Sequence, residues 1–167
     1  MNANETLLIF PHQLFALHPG LEQRPARIGM IEDNLFFGDR HHPARFHRQK
    51  LWFHRASMKR YAAGLEASHP AVDYVDHADD HEVLQTYLQH LAEDGSAGVI
   101  VADPHDDLLS RRLRRWCGAL GLQLRWVSTP MFLNSTEENR RYRAGKKRWF
   151  MADFYKIATA VQASLVS

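Results

Sequence analysis

Cysteine is almost absent from this chain of 167 residues, which contains only Cys117. One cysteine excludes an intramolecular disulfide and any metal site built from cysteines alone. Long apolar runs are also missing, and the N-terminal segment MNANETLLIF has neither a basic region nor an apolar stretch of signal-peptide or membrane-span length. We therefore expect a soluble, cytoplasmic protein that makes no contact with a membrane.

Neither sign of charge dominates the composition. The chain has 21 Lys and Arg against 19 Asp and Glu, a formal net charge of +2, with 11 His in addition. This balance is too weak to indicate nucleic-acid binding by itself. The length suits one domain of ordinary size. We predict an α/β domain over residues 1–133, followed by a basic connector and a C-terminal helix over residues 134–167.

Several motifs that would identify a common chemistry are missing. The sequence contains no GxGxxG after the first strand, no GxxxxGK[ST] and no GxSxG, which argues against a dinucleotide held in the usual way, a P-loop and a nucleophile elbow. His41, His42 and His47 with Asp39 could be drawn as a metal cluster, but the adjacent pair cannot easily face one ion, so we expect no metal. Cys117 falls on the inward stripe of a helix, where a structural role is the default.

Apolar patterning predicts alternating strands and helices. Strands are predicted at residues 6–10, 28–31, 71–75, 98–102 and 123–127, the third of them at a sheet edge. Helices are predicted at residues 49–68, 81–93, 107–120 and 149–166. Short right-handed connections between such elements give a parallel sheet. We predict a Rossmann-like three-layer α/β domain with a five-stranded parallel sheet, helices on both faces and an additional C-terminal helix.

Helix ends and helix faces give more local predictions. Asp79 or Asp80 is expected to cap the helix that begins at residue 81, and Gly95 and Gly121 are expected to end the helices before them. The amphipathic pattern of the helix over 107–120 predicts that its arginines point mostly outward. These are Arg111, Arg112, Arg114 and Arg115.

Polar side chains follow most of the predicted strands. They are His12, Gln13, Glu32, Asp33, Asp103, His105, Ser128 and Thr129. His47 and Lys50 rise from the loop and helix that follow the second strand. Because the carboxyl ends of parallel strands meet at one sheet edge, these groups predict a pocket for a polar, planar or nucleotide-like ligand. The alternative is that the acids cap helices and the histidines face solvent.

The C-terminal segment allows two further interpretations. Its basic and aromatic residues could bind nucleic acid through phosphate contacts and base stacking; they are Arg140, Arg141, Tyr142, Arg143, Lys146, Lys147, Arg148 and Trp149. We favour a solvated linker and helix start with core-facing aromatics, because Trp149, Phe150, Phe154 and Tyr155 recur at helical spacing.

In a second hypothesis from a different class, the chain is a stand-alone small α/β module. It would bind a ligand or a partner protein, and it would form a homodimer through an apolar patch on its last helix. That patch would consist of Trp149, Phe150, Phe154, Ile157 and Val161.

Five segments in collinear order resemble one protein family. They read LLIFPHQLF, IED, FHRQKLWFHRASMKRY, VIVADPHD and RWFMADFYK. The chain resembles the N-terminal region of the bacterial photolyase-related proteins, which include iron–sulfur photolyases and cryptochromes. The similarity covers essentially the whole chain, and its most specific motifs are the PHQ turn after the first strand and the segment at residues 47–58.

The resemblance implies an α/β domain that carries an antenna chromophore, a lumazine (6,7-dimethyl-8-ribityllumazine) in the iron–sulfur members. Positions that match the family's motifs imply ligand contact for His12, Gln13, Glu32, Asp33, His47 and Lys50, and more weakly for Asp103. FAD, the iron–sulfur cluster and the DNA-contacting surface belong to a helical half of full-length members. The resemblance therefore implies a truncated member of a DNA-repair or blue-light protein, which passes light energy to a flavin elsewhere and contains no catalytic residue.

Overall fold

The computed structural model describes residues 4–69, 71–132, 134–148 and 150–156. Its strands are β1 (Glu5–Ile9), β2 (Arg27–Ile31), β3 (Val72–Val75), β4 (Gly98–Ala102) and β5 (Gln123–Val127). Its helices are α1 (Asn34–Phe37), α2 (Arg48–Glu66), α3 (Val83–Glu93), α4 (Asp107–Leu120) and α5 (Thr136–Ala144). The chain divides into two compact units, Met1–Val127 and Ser128–Ser167.

The first unit is built on one parallel sheet with the strand order β3-β2-β1-β4-β5. The central strand β1 pairs in parallel with both neighbours, Leu7 lying opposite Ile28 of β2 and Ile100 of β4. The predicted five-stranded Rossmann-like fold is confirmed, including the position of β3 at an edge. The physical cause is the βα alternation, because each helix returns the chain to start the next strand in the same direction.

Alternating side chains of the central strands divide the core in two. Leu7 and Ile9 of β1 pack beneath α2, whereas Leu8 and Phe10 pack beneath α3 and α4. All four of these side chains are fully buried. The consecutive apolar residues Leu7, Leu8 and Ile9 of β1 are therefore required, since both faces of the strand are covered.

The C-terminal ends of α3 and α4 agree with the glycines predicted there, but the predicted start of α3 is wrong. Gly95 and Gly121 follow α3 and α4 with positive φ angles of 76° and 71°, in agreement with the prediction. However, α3 begins at Val83 and not at residue 81, and Asp79 and Asp80 do not cap it. The N–H of Val83 instead donates to Oδ1 of Asn34, 3.0 Å away and 49 residues earlier in the chain.

Three of the four arginines of α4 are exposed, as expected, and Arg112 is the buried exception. Its side chain is only 8% exposed, and its Nη2 lies 2.5 Å from a carboxylate oxygen of Asp39. Its Nη1 lies 3.2 Å from Glu82. The amphipathic pattern missed this position because both carboxylates come from loops distant in sequence, and a buried guanidinium is tolerated only with such partners.

Gly29 of β2 is required by close packing against α3. A Cβ atom at this position would lie 2.7 Å from the ring of Tyr87, whose hydroxyl donates to Asp73 at 2.7 Å. Burial and this hydrogen bond both raise the pKa of Tyr87, so the hydroxyl stays protonated. Displacing the ring to admit a methyl group would disturb this hydrogen bond.

The Gly29→Ala substitution should therefore destabilise the fold by ~1–3 kcal/mol through overpacking. Urea denaturation followed by circular dichroism measures the change. Gly64→Ala is the matched control, because Gly64 lies in α2 with nothing within 4 Å of the added methyl group; there the fold should gain ~0.5–1 kcal/mol. Equal effects of the two substitutions would contradict the packing argument.

The second unit contains α5 and a helical stretch at 151–156. Ser135 caps α5 reciprocally with Glu138, and the helix buries none of its residues. Phe150 is exposed and Phe154 is half-buried. Residues 149 and 157–166 of the predicted last helix lie outside the described residues, so the apolar patch predicted there is described only in part.

No helix in the described part of the chain combines the length and apolar character needed to cross a membrane.

Candidate functional site

The carboxyl edge of the sheet gathers the polar groups that follow β1, β2, β3 and β4. The order of the strands reverses direction at β1, and ligands of open α/β sheets bind at such a switch point. Gln13 spans this point, since its Nε2 donates to the carbonyl of Ala102 at the end of β4, 2.7 Å away. The turns after β1 and β4 are therefore held against each other.

His12 lies beside Gln13 in a largely apolar environment. Its ring lies 4.9 Å from that of Phe36 and 6.4 Å from that of Phe10, measured between centroids. Both ring nitrogens are buried, and neither forms a hydrogen bond of normal geometry with a described residue. Burial lowers the pKa of His12, opposed by the nearby Asp106 carboxylate and the Pro104 carbonyl. The imidazole is consequently neutral at pH 7, with one donor and one acceptor.

Gln13 is fully buried but only half satisfied. Its amide nitrogen donates to the carbonyl of Ala102, whereas Oε1 has no hydrogen-bonding partner among the described residues. A buried amide oxygen left without a donor costs free energy. Gln13 thus presents one unused acceptor at the switch point.

Glu32 is fully buried and fully satisfied. Its carboxylate accepts hydrogen bonds from Nε and Nη2 of Arg55, from the Tyr74 hydroxyl at 2.7 Å and from the N–H of His77 at 3.0 Å. Burial acts to raise the pKa of Glu32, but these hydrogen bonds outweigh it and lower the pKa. Glu32 therefore ties β2 to α2 and β3 and has little capacity left for a ligand.

Asp33 begins the one-turn helix α1. Its Oδ1 accepts the N–H of Leu35 at 2.9 Å, while Oδ2 is buried without a hydrogen-bonding partner among the described residues. Burial raises the pKa of Asp33 to about 6, against the opposing effect of the Leu35 hydrogen bond. This carboxyl group can carry a proton close to neutral pH and donate it in a hydrogen bond.

Three other predicted site residues lie nearer to solvent. His47 caps α2 by accepting the Gln49 N–H at 3.2 Å, and the Lys50 ammonium lies 4.2 Å from the ring centroid of Phe46. Asp103 is half-buried and accepts the backbone N–H of His105 in the turn after β4. The structure groups His12 and Gln13 most closely, while His47 and Lys50 make local contacts. Ligand contact by all seven residues stays a prediction.

Sequence reasoning missed a group of rings contributed by α1, α2 and the segment after β3. The Phe37 ring lies 6.2 Å from that of His54 and 5.8 Å from that of His77. Nε2 of His54 and Nδ1 of His77 are buried without hydrogen-bonding partners among the described residues. Burial lowers the pKa of His54, with a further contribution from Lys50. His77 could have been found from the sequence, because it follows β3 as His12 follows β1. His54 could also have been found, because it lies one helical turn after the predicted site residue Lys50.

Ionisation of Asp33 opposes folding. Its pKa of about 6 in the folded protein exceeds the ordinary value of 3.8. The group therefore contributes its full stability below pH 3.8 and loses it as the pH rises through about 6, a change of ~3 kcal/mol. Asp33→Asn keeps the capping oxygen and removes the charge, so between about pH 4 and about pH 7 the variant should gain stability relative to wild type by most of this amount.

Urea denaturation of both proteins at the two pH values measures this difference. The matched control is Glu66→Gln at the exposed end of α2, which should follow the pH dependence of the wild type. An Asp33→Asn variant with an unchanged pH dependence would show that the carboxyl group is not perturbed.

The fold is an α/β domain with buried polar groups at the switch point of a parallel sheet. The family model of the deoxyribodipyrimidine photo-lyase-related proteins matches residues 7–158. The chain belongs to this family. It is also similar to an uncharacterized protein of Acanthamoeba polyphaga mimivirus, with 28% identity over 155 residues, which cover 89% of this chain and 78% of the viral protein.

Proposed function

We propose that this chain is the antenna-chromophore domain of a photolyase- or cryptochrome-related protein and binds a planar heteroaromatic ligand at the carboxyl edge of its sheet. A lumazine is the proposed chromophore. When bound, it would absorb near-ultraviolet or blue light and pass the excitation to a flavin elsewhere. No catalytic residue of this chain is proposed, because the photochemistry belongs to the cofactors.

One observation carries the proposal: several buried polar atoms without hydrogen-bonding partners among the described residues lie at one sheet edge, among aromatic rings. They belong to His12, Gln13, His54 and His77. Buried polar groups are normally hydrogen-bonded, and those that are not call for a ligand or water. Membership of the photolyase-related family supports a chromophore as that ligand.

The chemistry of these atoms fits a pteridine-type ring system, which has N–H and carbonyl groups on one edge and flat apolar faces. The Gln13 Oε1 can only accept, so it would take a ring N–H. His12 is neutral and could donate to a ring carbonyl from one nitrogen. The rings of Phe36 and Phe37 could pack against the ligand faces. These residues would bind and orient the chromophore and exclude water from it.

A fluorescence titration of the purified chain with 6,7-dimethyl-8-ribityllumazine tests the proposal. Wild type should bind saturably with a shift of the lumazine emission. His12→Phe preserves the ring packing on Phe36 but removes both ring nitrogens, so binding should weaken by about tenfold for the loss of one buried hydrogen bond.

His90→Phe is the control, because His90 lies at the far end of α3 with its side chain 69% exposed. It should bind lumazine as the wild type does. Absence of saturable binding by wild type would overturn the antenna proposal. Equal binding by wild type and His12→Phe would remove His12 from the site.

A further inference from the structure

A cavity lies outside the proposed chromophore edge, between α4 and the loop that follows α1. Its volume is ≈ 710 Å³. It is lined by His41, His42, Leu108, Arg111, Arg112, Arg114 and Arg115. This lining contains four guanidinium groups, two imidazoles and no carboxylate, and it shares no residue with the group around His12. A concave surface with one sign of charge concentrates ions of the opposite sign.

The acidic residues nearest to the cavity neutralise only part of its charge. Arg112 is paired with Asp39 and Glu82, and Arg111 is paired with Asp107. By contrast, Arg114 and Arg115 form no ion pair within the described ranges 4–69, 71–132, 134–148 and 150–156. Two exposed guanidinium groups are therefore left to act on a ligand.

Aromatic rings support these two guanidinium groups. The guanidinium carbon of Arg114 lies 5.5 Å from the ring centroid of Trp126, and that of Arg115 lies 5.3 Å from that of Trp116. A guanidinium that stacks on a ring keeps the N–H groups in its own plane free, and this fork matches phosphate oxygens bidentately. These cation–π contacts also restrict the side chains before any ligand arrives.

We propose that this cavity binds the phosphate group of a small phosphorylated molecule. The two guanidinium groups without carboxylate partners match the charge of one phosphate dianion. The volume falls in the range of small-molecule pockets and far exceeds a single phosphate, so the rest of the ligand lies against Leu108 and the arginine stems. A small ligand is favoured over nucleic acid because the cavity is concave and is flanked by Asp39, Glu82 and Asp107, which would repel an extended phosphate backbone.

Isothermal titration calorimetry of the full chain with inorganic pyrophosphate and with ADP tests the proposal. Both should bind saturably, and each affinity should fall as salt is raised. Equal affinities would show that the phosphates alone are recognised, whereas tighter binding of ADP would show that the nucleoside also occupies the cavity; both results support the proposal.

Arg114→Gln and Arg115→Gln should each weaken pyrophosphate binding by about tenfold, because each removes a charged bidentate donor. Both residues are exposed, so the variants should fold, as circular dichroism can verify. Arg60→Gln is the control, because Arg60 is an exposed arginine of α2, on the other face of the sheet. It should leave the affinity unchanged.

Absence of pyrophosphate binding, or equal binding by all four proteins, would overturn the proposal. A short DNA duplex that binds as tightly as pyrophosphate, and loses affinity in the same two variants, would replace it with a nucleic-acid surface. Lumazine titration of the two variants distinguishes this cavity from the chromophore edge, since it should give the wild-type result.

Discussion

The parallel pairing of β1 with strands on both sides is the constraint on which the rest of the molecule depends. It satisfies the backbone of the central strand and leaves both of its faces to be covered by helices, so that Leu7, Leu8, Ile9 and Phe10 are all fully buried. It also places the ends of β2, β1 and β4 side by side at strand spacings of about 4.8 Å. The turns that follow these strands must therefore share one edge, and Gln13 joins two of them directly.

Polar groups at this edge are of two kinds, which differ in whether hydrogen bonds offset the free-energy cost of burying them. Glu32 receives hydrogen bonds from a guanidinium, a hydroxyl and a backbone amide, so its burial strengthens the connection between β2, α2 and β3. His12 and Gln13 retain atoms that the described residues do not satisfy. A fold tolerates such a cost where something else can offset it, and in a photolyase-related protein a chromophore could do so.

Long-range contacts to the segment between β2 and α2 shape both proposed sites. Asn34 donates to the carbonyls of Ala78 and His81 and caps α3. Asp39 reaches Arg112 on α4 and so brings His41 and His42 to the wall of the basic cavity. The same short stretch thus places Phe36 and Phe37 on one side and a cationic cavity on the other.

Local patterns were sufficient for most of the fold. The bounds of β4, α4 and β5 agree with the predictions, because a continuous apolar run, an amphipathic stripe and a closing glycine act within a few residues of each other. The strand-end residues could also be assigned to one edge, since this follows from parallel topology alone. Only the tertiary structure decided that Arg112 is buried, that Asn34 caps α3, and that Glu32 is satisfied while the His12 nitrogens find no hydrogen-bonding partner in the described part of the chain. Their partners lie tens of residues away in sequence, and no local pattern records which distant group will meet a buried polar atom.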